Sequence, residues 1–234
     1  MFQPTTLAAR LAKSALQLRA RYERLQPTGK RRVHLSGTPV FLAAFDRPGL
    51  CCAYFTGTDG PHRKTAAQVM TAEGEIVGYA KATGNPLVKR CIENEARQLA
   101  AIAGMGLTAA MVPKLIEHRH ENGVARLVTD TLRAPGHIVS KDLGGPHDRF
   151  LAELAEKTSR PGGAATLAEL TRTVDALRPV LSAAWVARLS HGIARLAPKI
   201  SALPVGLAHG DFTPWNTFIV GNRLYVFDWE YAHN

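Results

Sequence analysis

The apolar and polar residues of this chain follow two repeats, one with a period of two and one with a spacing of three or four. A period of two predicts β-strands, and β-branched or aromatic residues strengthen that prediction. The alternation occurs at residues 76–82, and composition and flanking turns predict five further strands, at residues 51–55, 63–70, 124–129, 217–220 and 223–227. The last two flank the turn dipeptide Gly221-Asn222 and therefore predict a β-hairpin.

Spacings of three and four predict helices elsewhere in the chain. The first begins after Asn85, a good N-cap, has Pro86 in its first turn and stops at Gly104. Further helices are expected over residues 150–158, from the capping box Thr166-Leu-Ala-Glu169 toward Pro179, and over residues 186–200. The last of these should bury one stripe, formed by Val186, Leu189, Ile193, Leu196 and Ile200.

Glu95 lies inside the apolar stripe of the first helix, whereas Glu93 points away from it. A carboxylate on a packed helix face needs a partner of opposite charge. Lys81, on the predicted strand just before this helix, is the nearest candidate. The alternative is a surface lysine and a glutamate that reaches solvent.

The most informative stretch is His209-Gly-Asp-Phe-Thr-Pro-Trp-Asn216, followed by Asp228 after the hairpin. Pairing across the turn places Asn216 opposite Phe227, so Asn216 and Asp228 are expected to be neighbours at the open end. Asp211, five residues before Asn216, can reach the same place. Two carboxylates and an amide oxygen suit phosphoryl transfer with Mg²⁺. The alternative is that these polar residues only cap turns. We expect His209 to shape the loop rather than to bind a metal.

This block resembles the catalytic and metal-binding loops of the aminoglycoside/choline-type phosphotransferases, relatives of the protein kinases. The resemblance implies that Asp211 is catalytic and that Asn216 and Asp228 hold Mg²⁺. It also implies that Lys81 contacts the phosphates of ATP, or of another nucleoside triphosphate, and that Glu95 fixes Lys81 in position.

The family's fold is α+β and two-lobed, so we expect three regions. Residues 1–32 would be a basic helical segment, residues 33–130 a small nucleotide-binding lobe with an antiparallel sheet and a helix, and residues 131–234 a mainly helical catalytic lobe. Family members usually continue with helices that complete the large lobe, so the large lobe is expected to be incomplete here.

Two further nucleotide contacts follow from the same resemblance. The turn that holds Gly57 and Gly60 would cover the phosphates, although an ordinary hairpin turn explains these glycines equally well. The backbone of Thr131, Leu132 and Arg133 would meet the adenine edge, in a segment that is a plain loop by composition.

The net charge of +10 is concentrated at the N-terminus. Residues 1–32 contain eight basic residues and one acidic residue, which leaves 21 basic and 18 acidic residues for the rest. Because apolar residues recur at helical spacing in this segment, it predicts an amphipathic helix, either packed on the small lobe or bound to a polyanion or membrane surface. This distribution does not favour a nucleic-acid partner.

Composition indicates a folded chain without a membrane span. No apolar run approaches the roughly 20 residues that a transmembrane helix needs, and no signal-peptide pattern opens the sequence. Adjacent Cys51 and Cys52 and one further cysteine do not form a disulfide framework or a zinc site, which fits a reducing cytoplasm.

These observations predict an ATP- and Mg²⁺-dependent phosphotransferase with an alcohol group as acceptor. The acceptor is a small molecule such as a sugar, an amino alcohol or an aminoglycoside-like compound. Scattered acidic residues, among them Glu169, Asp175 and Glu230, argue against a highly cationic one. Two alternatives are a nucleotide-binding module without transferase activity and an adaptor whose basic N-terminal helix binds a polyanionic surface.

Overall fold

The computed structural model describes residues 7, 10–12, 14, 15, 18, 39–55, 60–134, 137, 139 and 142–233. Ten strands lie in these ranges: β1 Cys51–Phe55, β2 Thr65–Met70, β3 Ile76–Thr83, β4 Ala110–Met111, β5 Leu115–Glu121, β6 Val124–Asp130, β7 Arg160–Pro161, β8 Pro204–Val205, β9 Thr217–Val220 and β10 Arg223–Val226. The α-helices are α1 Pro86–Ala103, α2 Gly145–Thr158, α3 Gly163–Leu177 and α4 Ala183–Ile200, and two short 3-10 helices span Val40–Ala44 and Pro214–Asn216.

Strands β1, β2, β3, β6 and β5 form one antiparallel sheet in that order. Small and β-branched residues fill two hydrophobic clusters among its strands and the elements packed on them. One consists of Phe41, Ala67, Val69, Ala80 and Val128, and the other of Ile92, Ala96, Ala125 and Leu127. The second cluster joins α1 to β6, and it therefore fixes the height of α1 over the sheet.

Helix α1 begins and ends where the sequence predicts. The side chain of Asn85 accepts a hydrogen bond from the backbone N–H of Leu87 at 2.9 Å, as an N-cap should, and Gly104 is the C-cap. The predicted apolar stripe is buried, and Glu95 is buried with it at 3% exposure. Glu93 lies outside the stripe, and its Oε1 lies 3.0 Å from Nε2 of His120.

A second, three-stranded sheet has the order β4-β10-β9. Its hairpin confirms the predicted register, with Val220 opposite Arg223 and Thr217 opposite Val226. The pairing continues by one more hydrogen bond, from the N–H of Phe227 to the carbonyl oxygen of Asn216 at 3.1 Å. The hairpin therefore delivers Asn216 and Asp228 to the same end.

The described residues separate into two compact units. The first lies within Met1–Phe150 and His209–Ala232, and the second within Leu151–Ala208 and His233–Asn234. Helices α3 and α4 and the small sheet of β7 and β8 belong to the second unit. The predicted lobe boundaries at residues 33, 131 and 234 stay a prediction.

The second unit corrects two details predicted from the sequence. The proposed capping box is wrong, because α3 begins at Gly163 with Gly162 as its N-cap, and the hydroxyl of Thr166 donates to the carbonyl of Gly162 inside the first turn. A side chain at Gly163 would collide with the backbone of Ile200, so a residue without a Cβ starts this helix.

The apolar stripe of α4 is buried only in part. Val186 is buried and Ile193 and Ile200 are half-buried, whereas Leu189 and Leu196 are exposed. These buried and half-buried positions recur every seven residues. Such a narrow stripe is typical of a helix that packs along one other helix. Helix α2 also differs, since it begins at Gly145 rather than at residue 150.

Seven residues of the predicted N-terminal helix are described, and all seven are helical and exposed. They include Leu7, Leu11 and Leu18. The remaining residues of segment 1–32 lie outside the described part of the chain. None of the described helices is both long and apolar enough to cross a membrane.

Candidate active site

Lys81 on β3 stands at the centre of a cluster of carboxylates. Its ammonium nitrogen Nζ lies 2.6 Å from Oε2 of Glu95 on α1 and 2.5 Å from Oδ1 of Asp228 after the hairpin. A third carboxylate, Glu230, lies 3.9 Å from the same nitrogen. Strand, helix and hairpin thus converge on one cation, and the pairing of Lys81 with Glu95 agrees with the sequence-based prediction.

Burial and neighbouring charges shift the pKa values of this cluster in opposite directions. Burial disfavours the charged form of Lys81, but attraction by Glu95, Asp228 and Glu230 outweighs it and holds the pKa of Lys81 above its usual value. Burial likewise acts to raise the pKa of Asp228, yet the ammonium groups of Lys81 and Lys64 outweigh it and lower that pKa. Lys81 and Asp228 are therefore both charged at neutral pH.

The backbone at Asp228 is unusual for a residue with a side chain. Its φ of 69° lies in the left-handed region, which Asp tolerates better than most residues. Such conformations cluster at functional sites, where the surrounding structure enforces them. Here the buried Trp229 follows directly, and its indole N–H donates to the carbonyl of Val226 at 3.2 Å, which anchors the turn.

Asp211 and Asn216 are held together in the loop before the hairpin. The amide nitrogen of Asn216 donates to Oδ2 of Asp211 at 2.9 Å and to the backbone carbonyl of Asp211 at 3.0 Å. Asn216 is buried, and Asp211 is half-buried. These two bonds orient the Asp211 carboxylate and use only the nitrogen of the amide, which leaves its oxygen Oδ1 for another ligand.

His209 shapes this loop, as the sequence predicts. Its Nδ1 accepts the backbone N–H of Asp211 at 3.3 Å, so the proton of the neutral ring sits on Nε2, which lies 3.0 Å from the carbonyl oxygen of Phe227. The ring also packs on Trp229 at 4.5 Å between centroids. His209 therefore ties the loop to the end of the hairpin.

Gly210 is required at its position for two reasons. Its φ of +81° is one that residues with a Cβ rarely adopt, and a Cβ there would lie 2.2 Å from the carbonyl oxygen of Tyr231. The loop and the segment after Asp228 are therefore in direct backbone contact.

A cleft with about 640 Å³ of empty space, part of it open to solvent, lies beside Lys81. Its walls come from β2, β3, β6, the hairpin and the segment after β6. The lining residues are Ala66, Tyr79, Ala80, Lys81, Glu95, Pro113, Thr129, Asp130, Thr131, Arg133, Phe218, Tyr225, Phe227 and Asp228. Apolar walls with a cationic and acidic end suit a ligand that has an aromatic part and a charged part.

The predicted nucleotide contacts fall into three groups. Thr131 and Arg133 line the cleft, whereas Leu132 is not among its lining residues and is 42% exposed. Gly60 is exposed, and its Cβ position faces open space. Gly57 lies outside the described residues.

The structure adds three residues that sequence reasoning did not assign to the site. Lys64 forms an ion pair with Glu230, and Asn94 on α1 donates hydrogen bonds to the backbone carbonyls of Glu230 and Ala232 at 3.0 and 2.8 Å. The sequence did contain a signal for Glu230, because it lies two residues after Asp228, just beyond the predicted hairpin. Lys64 could be found from its place two residues before the strand partner of Lys81.

Two oxygen sets could hold a divalent cation. Glu95, Asp228 and Glu230 offer oxygens that all lie within 4.8 Å of one another, but the ammonium groups of Lys81 and Lys64 already contact this set. Asn216 and Asp228 offer an amide oxygen and a second carboxylate oxygen that Lys81 does not contact. Hard oxygen ligands of this kind suit Mg²⁺, so the second set fits the metal better.

Comparison with known proteins agrees with the fold. The sequence model of the phosphotransferase enzyme family (APH) matches residues 41–234. The chain therefore belongs to the phosphotransferase enzyme family. No curated protein sequence matches it at a significant level.

Among solved structures, the chain is similar to the GDP and kanamycin complex of APH(2")-IIia, with a TM-score of 0.51 and 14% sequence identity over 82% of this chain and 71% of that one. It is also similar to a macrolide 2'-phosphotransferase type I, with a TM-score of 0.47 and 18% identity over 83% of this chain and 71% of that one. At such identity the first likeness supports the fold alone.

Family and fold together confirm two predictions from the sequence. The fold is α+β and protein-kinase-like, and the enzyme is a phosphotransferase with an alcohol group as acceptor.

Proposed function

We propose that this chain transfers the terminal phosphoryl group of ATP, or of another nucleoside triphosphate, to a hydroxyl group of a small molecule in a Mg²⁺-dependent reaction. The contact of Lys81 with both Glu95 and Asp228, at the charged end of the cleft, carries the proposal. A fixed ammonium beside a half-buried carboxylate is the arrangement that binds phosphates next to a metal. The nucleotide in the structure of APH(2")-IIia, GDP, is consistent with such a ligand.

Each residue then has a defined role. Lys81 binds phosphate oxygens, and Glu95 positions it from α1. Asn216, through Oδ1, and Asp228, through its second oxygen, would hold Mg²⁺, which when bound neutralises charge on the phosphates. The apolar part of the cleft, together with the backbone near Thr131, Leu132 and Arg133, would hold the base.

Asp211 acts on the acceptor. Its carboxylate, oriented by Asn216, accepts the proton of the acceptor hydroxyl while the bond from that oxygen to phosphorus forms and the bond to the leaving phosphate breaks. The products are a phosphorylated acceptor and a nucleoside diphosphate. Positioning and charge neutralisation supply most of the rate enhancement in such reactions.

The structure also bears on the acceptor. Glu230 was one of the scattered acids that could have faced a cationic substrate, but it is 8% exposed and paired with Lys64. This carboxylate is therefore not free to bind a cation, so we favour a neutral or weakly charged acceptor such as a sugar or an amino alcohol.

The test is transfer of labelled phosphate from ATP or GTP, with Mg²⁺, to a panel of aminoglycosides, macrolides, sugars and amino alcohols. We expect Asp211→Asn to lower turnover by roughly 10²–10⁴-fold, the usual contribution of a positioned acid or base. Asp228→Asn should abolish Mg²⁺-dependent transfer. Asp175→Asn, an exposed carboxylate in an i,i+3 pair, is the matched control and should keep full activity.

Two results would change the assignment. Undiminished turnover in both Asp211→Asn and Asp228→Asn would show that the chemistry lies elsewhere. Tight Mg²⁺–nucleotide binding without transfer to any acceptor would instead identify the nucleotide-binding module considered above as an alternative.

A further inference from the structure

Lys64 is a second lysine close to the phosphate site, and the proposed reaction gives it no role. Its ammonium contacts Oε2 of Glu230, and their side chains are 22% and 8% exposed. Partly buried charges are kept in proteins only when they are paired, so the position of Lys64 depends on this carboxylate.

Lys64 lies just before β2, and the register of that strand indicates which side of the sheet Lys64 faces. Ala66 on β2 lies directly opposite Lys81 on β3, and Ala66 lines the cleft. Alternate residues of an extended chain share a face, so Lys64, two residues before Ala66, points toward the side of the sheet that Lys81 occupies. Its contact with Glu230, which also lies near Lys81, agrees with this direction.

One carboxylate oxygen therefore joins the two lysines. Oε2 of Glu230 contacts the ammonium of Lys64 and lies 3.9 Å from that of Lys81. Two like charges repel each other unless an anion lies between them, and Glu230 supplies that anion. Phosphate oxygens are also anionic acceptors, so a nucleotide phosphate can bind between the same two ammonium groups.

We propose that Lys64 is a second phosphate-binding lysine and that Glu230 is its positioning residue, holding Lys64 beside Lys81 until a nucleotide phosphate binds. This inference rests on the proposed function, because it assumes that a nucleotide occupies the cleft. The competing role is purely structural, with the ion pair only tying β2 to the segment that follows Asp228.

The test compares ligands that differ only in their phosphates. In Lys64→Met, the dissociation constant of Mg²⁺–ADP, measured by calorimetry, should rise about tenfold or more, as expected for loss of one hydrogen bond to a charged group. The dissociation constant of adenosine should stay within about twofold, because adenosine lacks the phosphates that Lys64 contacts. Lys64→Arg should recover most of the ADP affinity, since it restores the charge.

Two further variants separate the roles. Glu230→Gln keeps an oxygen that accepts a hydrogen bond from Lys64 but removes the negative charge that competes with phosphate, so ADP affinity should be kept or should increase. Lys157→Met, an exposed lysine at the end of α2, is the matched control and should bind ADP as the wild type does.

Several outcomes would overturn the inference. Unchanged ADP affinity in a folded Lys64→Met variant would show that Lys64 does not contact phosphate. Equal weakening of adenosine and ADP in both Lys64→Met and Glu230→Gln, with a lower melting temperature, would identify a structural tie. A wild-type chain that binds no nucleotide would overturn both this inference and the proposed function, whereas nucleotide binding without transfer would affect the proposed function alone.

Discussion

At the scale of single residues, the imidazole ring of His209 sets both the geometry of its loop and the pH dependence of the chain's stability. The neutral ring accepts a hydrogen bond from Asp211 and donates one to Phe227, and a second proton on Nδ1 would break the first bond. Burial lowers the pKa of His209, because the charged ring would lose its hydration, and the bond to Phe227 only partly opposes that shift. The geometry of the loop that holds Asp211 therefore requires a neutral His209.

This requirement predicts a loss of stability in acid. The unfolded chain takes up a proton at His209 near pH 6.5, whereas the folded chain does so only at lower pH. The contribution of His209 is thus fully present above about pH 6.5 and declines as the pH falls toward the folded-state pKa, by up to about 1.4 kcal/mol per pH unit.

Melting temperatures between about pH 5 and 8 check this prediction in the wild type and in His209→Gln, whose amide can still donate to Phe227. The other histidines titrate in both proteins, so the difference between the two curves reports on His209. Parallel curves would contradict the prediction.

Residue-scale features differ in how far the sequence predicts them. The pair Lys81–Glu95 was predictable, because a charged residue inside an apolar helical stripe needs a partner. The positive φ of Asp228 was not, since backbone strain depends on the contacts that enforce it. To predict the pairing of Lys64 with Glu230, one would need to know the strand register in both sheets at once.

At the scale of elements, helix α1 sets the position of the proposed phosphate site through its packing. Ile92 is fully buried against Ala96, Ala125 and Leu127, and Glu95 follows it by three residues on the same face. Any loosening of this contact moves Glu95 relative to Lys81. The stability of α1 and the affinity for nucleotide should therefore be coupled.

Ile92→Ala should lower the free energy of unfolding by about 2–5 kcal/mol, because it removes buried methyl groups and leaves a cavity. The affinity for Mg²⁺–ADP should fall as well. Denaturant unfolding and calorimetry measure the two effects, with the exposed Arg90→Ala on the same helix as the control. A large loss of stability at unchanged ADP affinity would show that α1 does not set the geometry of Lys81.

Elements with a strong periodic pattern were predictable, and the others were not. The hairpin register and the bounds of α1 follow from a turn dipeptide and a cap, which are local signals. Strand β5 carries no such signal, since its residues His118 to Glu121 are polar and exposed. The start of α3 depends on the close approach of Ile200 to Gly163, a contact between distant parts of the sequence.

At the scale of the whole molecule, the proposed active site and the excess positive charge lie in different parts of the sequence. The residues of the site lie within residues 64–230, in the first unit. Segment 1–32 carries a net charge of +7, and the rest of the chain only +3. Leu7, Leu11 and Leu18 in that segment are helical and exposed, so its described residues include exposed apolar side chains.

We propose that segment 1–32 binds anionic surfaces independently of nucleotide. Basic residues attract an anionic membrane, and exposed leucines at helical spacing can insert at its interface. Binding to vesicles that contain phosphatidylserine should therefore weaken as salt rises, because the screening length shrinks from about 10 Å at 0.1 M to about 3 Å at 1 M. Vesicles of phosphatidylcholine alone should bind poorly.

Two variants test whether segment 1–32 binds vesicles and whether its basic residues contribute to that binding. Deletion of residues 1–32 should abolish vesicle binding and leave the affinity for Mg²⁺–ADP within about twofold, since the ligand contacts lie elsewhere. Replacing Lys30, Arg31 and Arg32 by Gln should weaken vesicle binding by about 1 kcal/mol for each charge removed. If deletion instead lowers ADP affinity and vesicle binding is absent from the wild type, segment 1–32 supports the nucleotide-binding fold and does not act as a surface anchor.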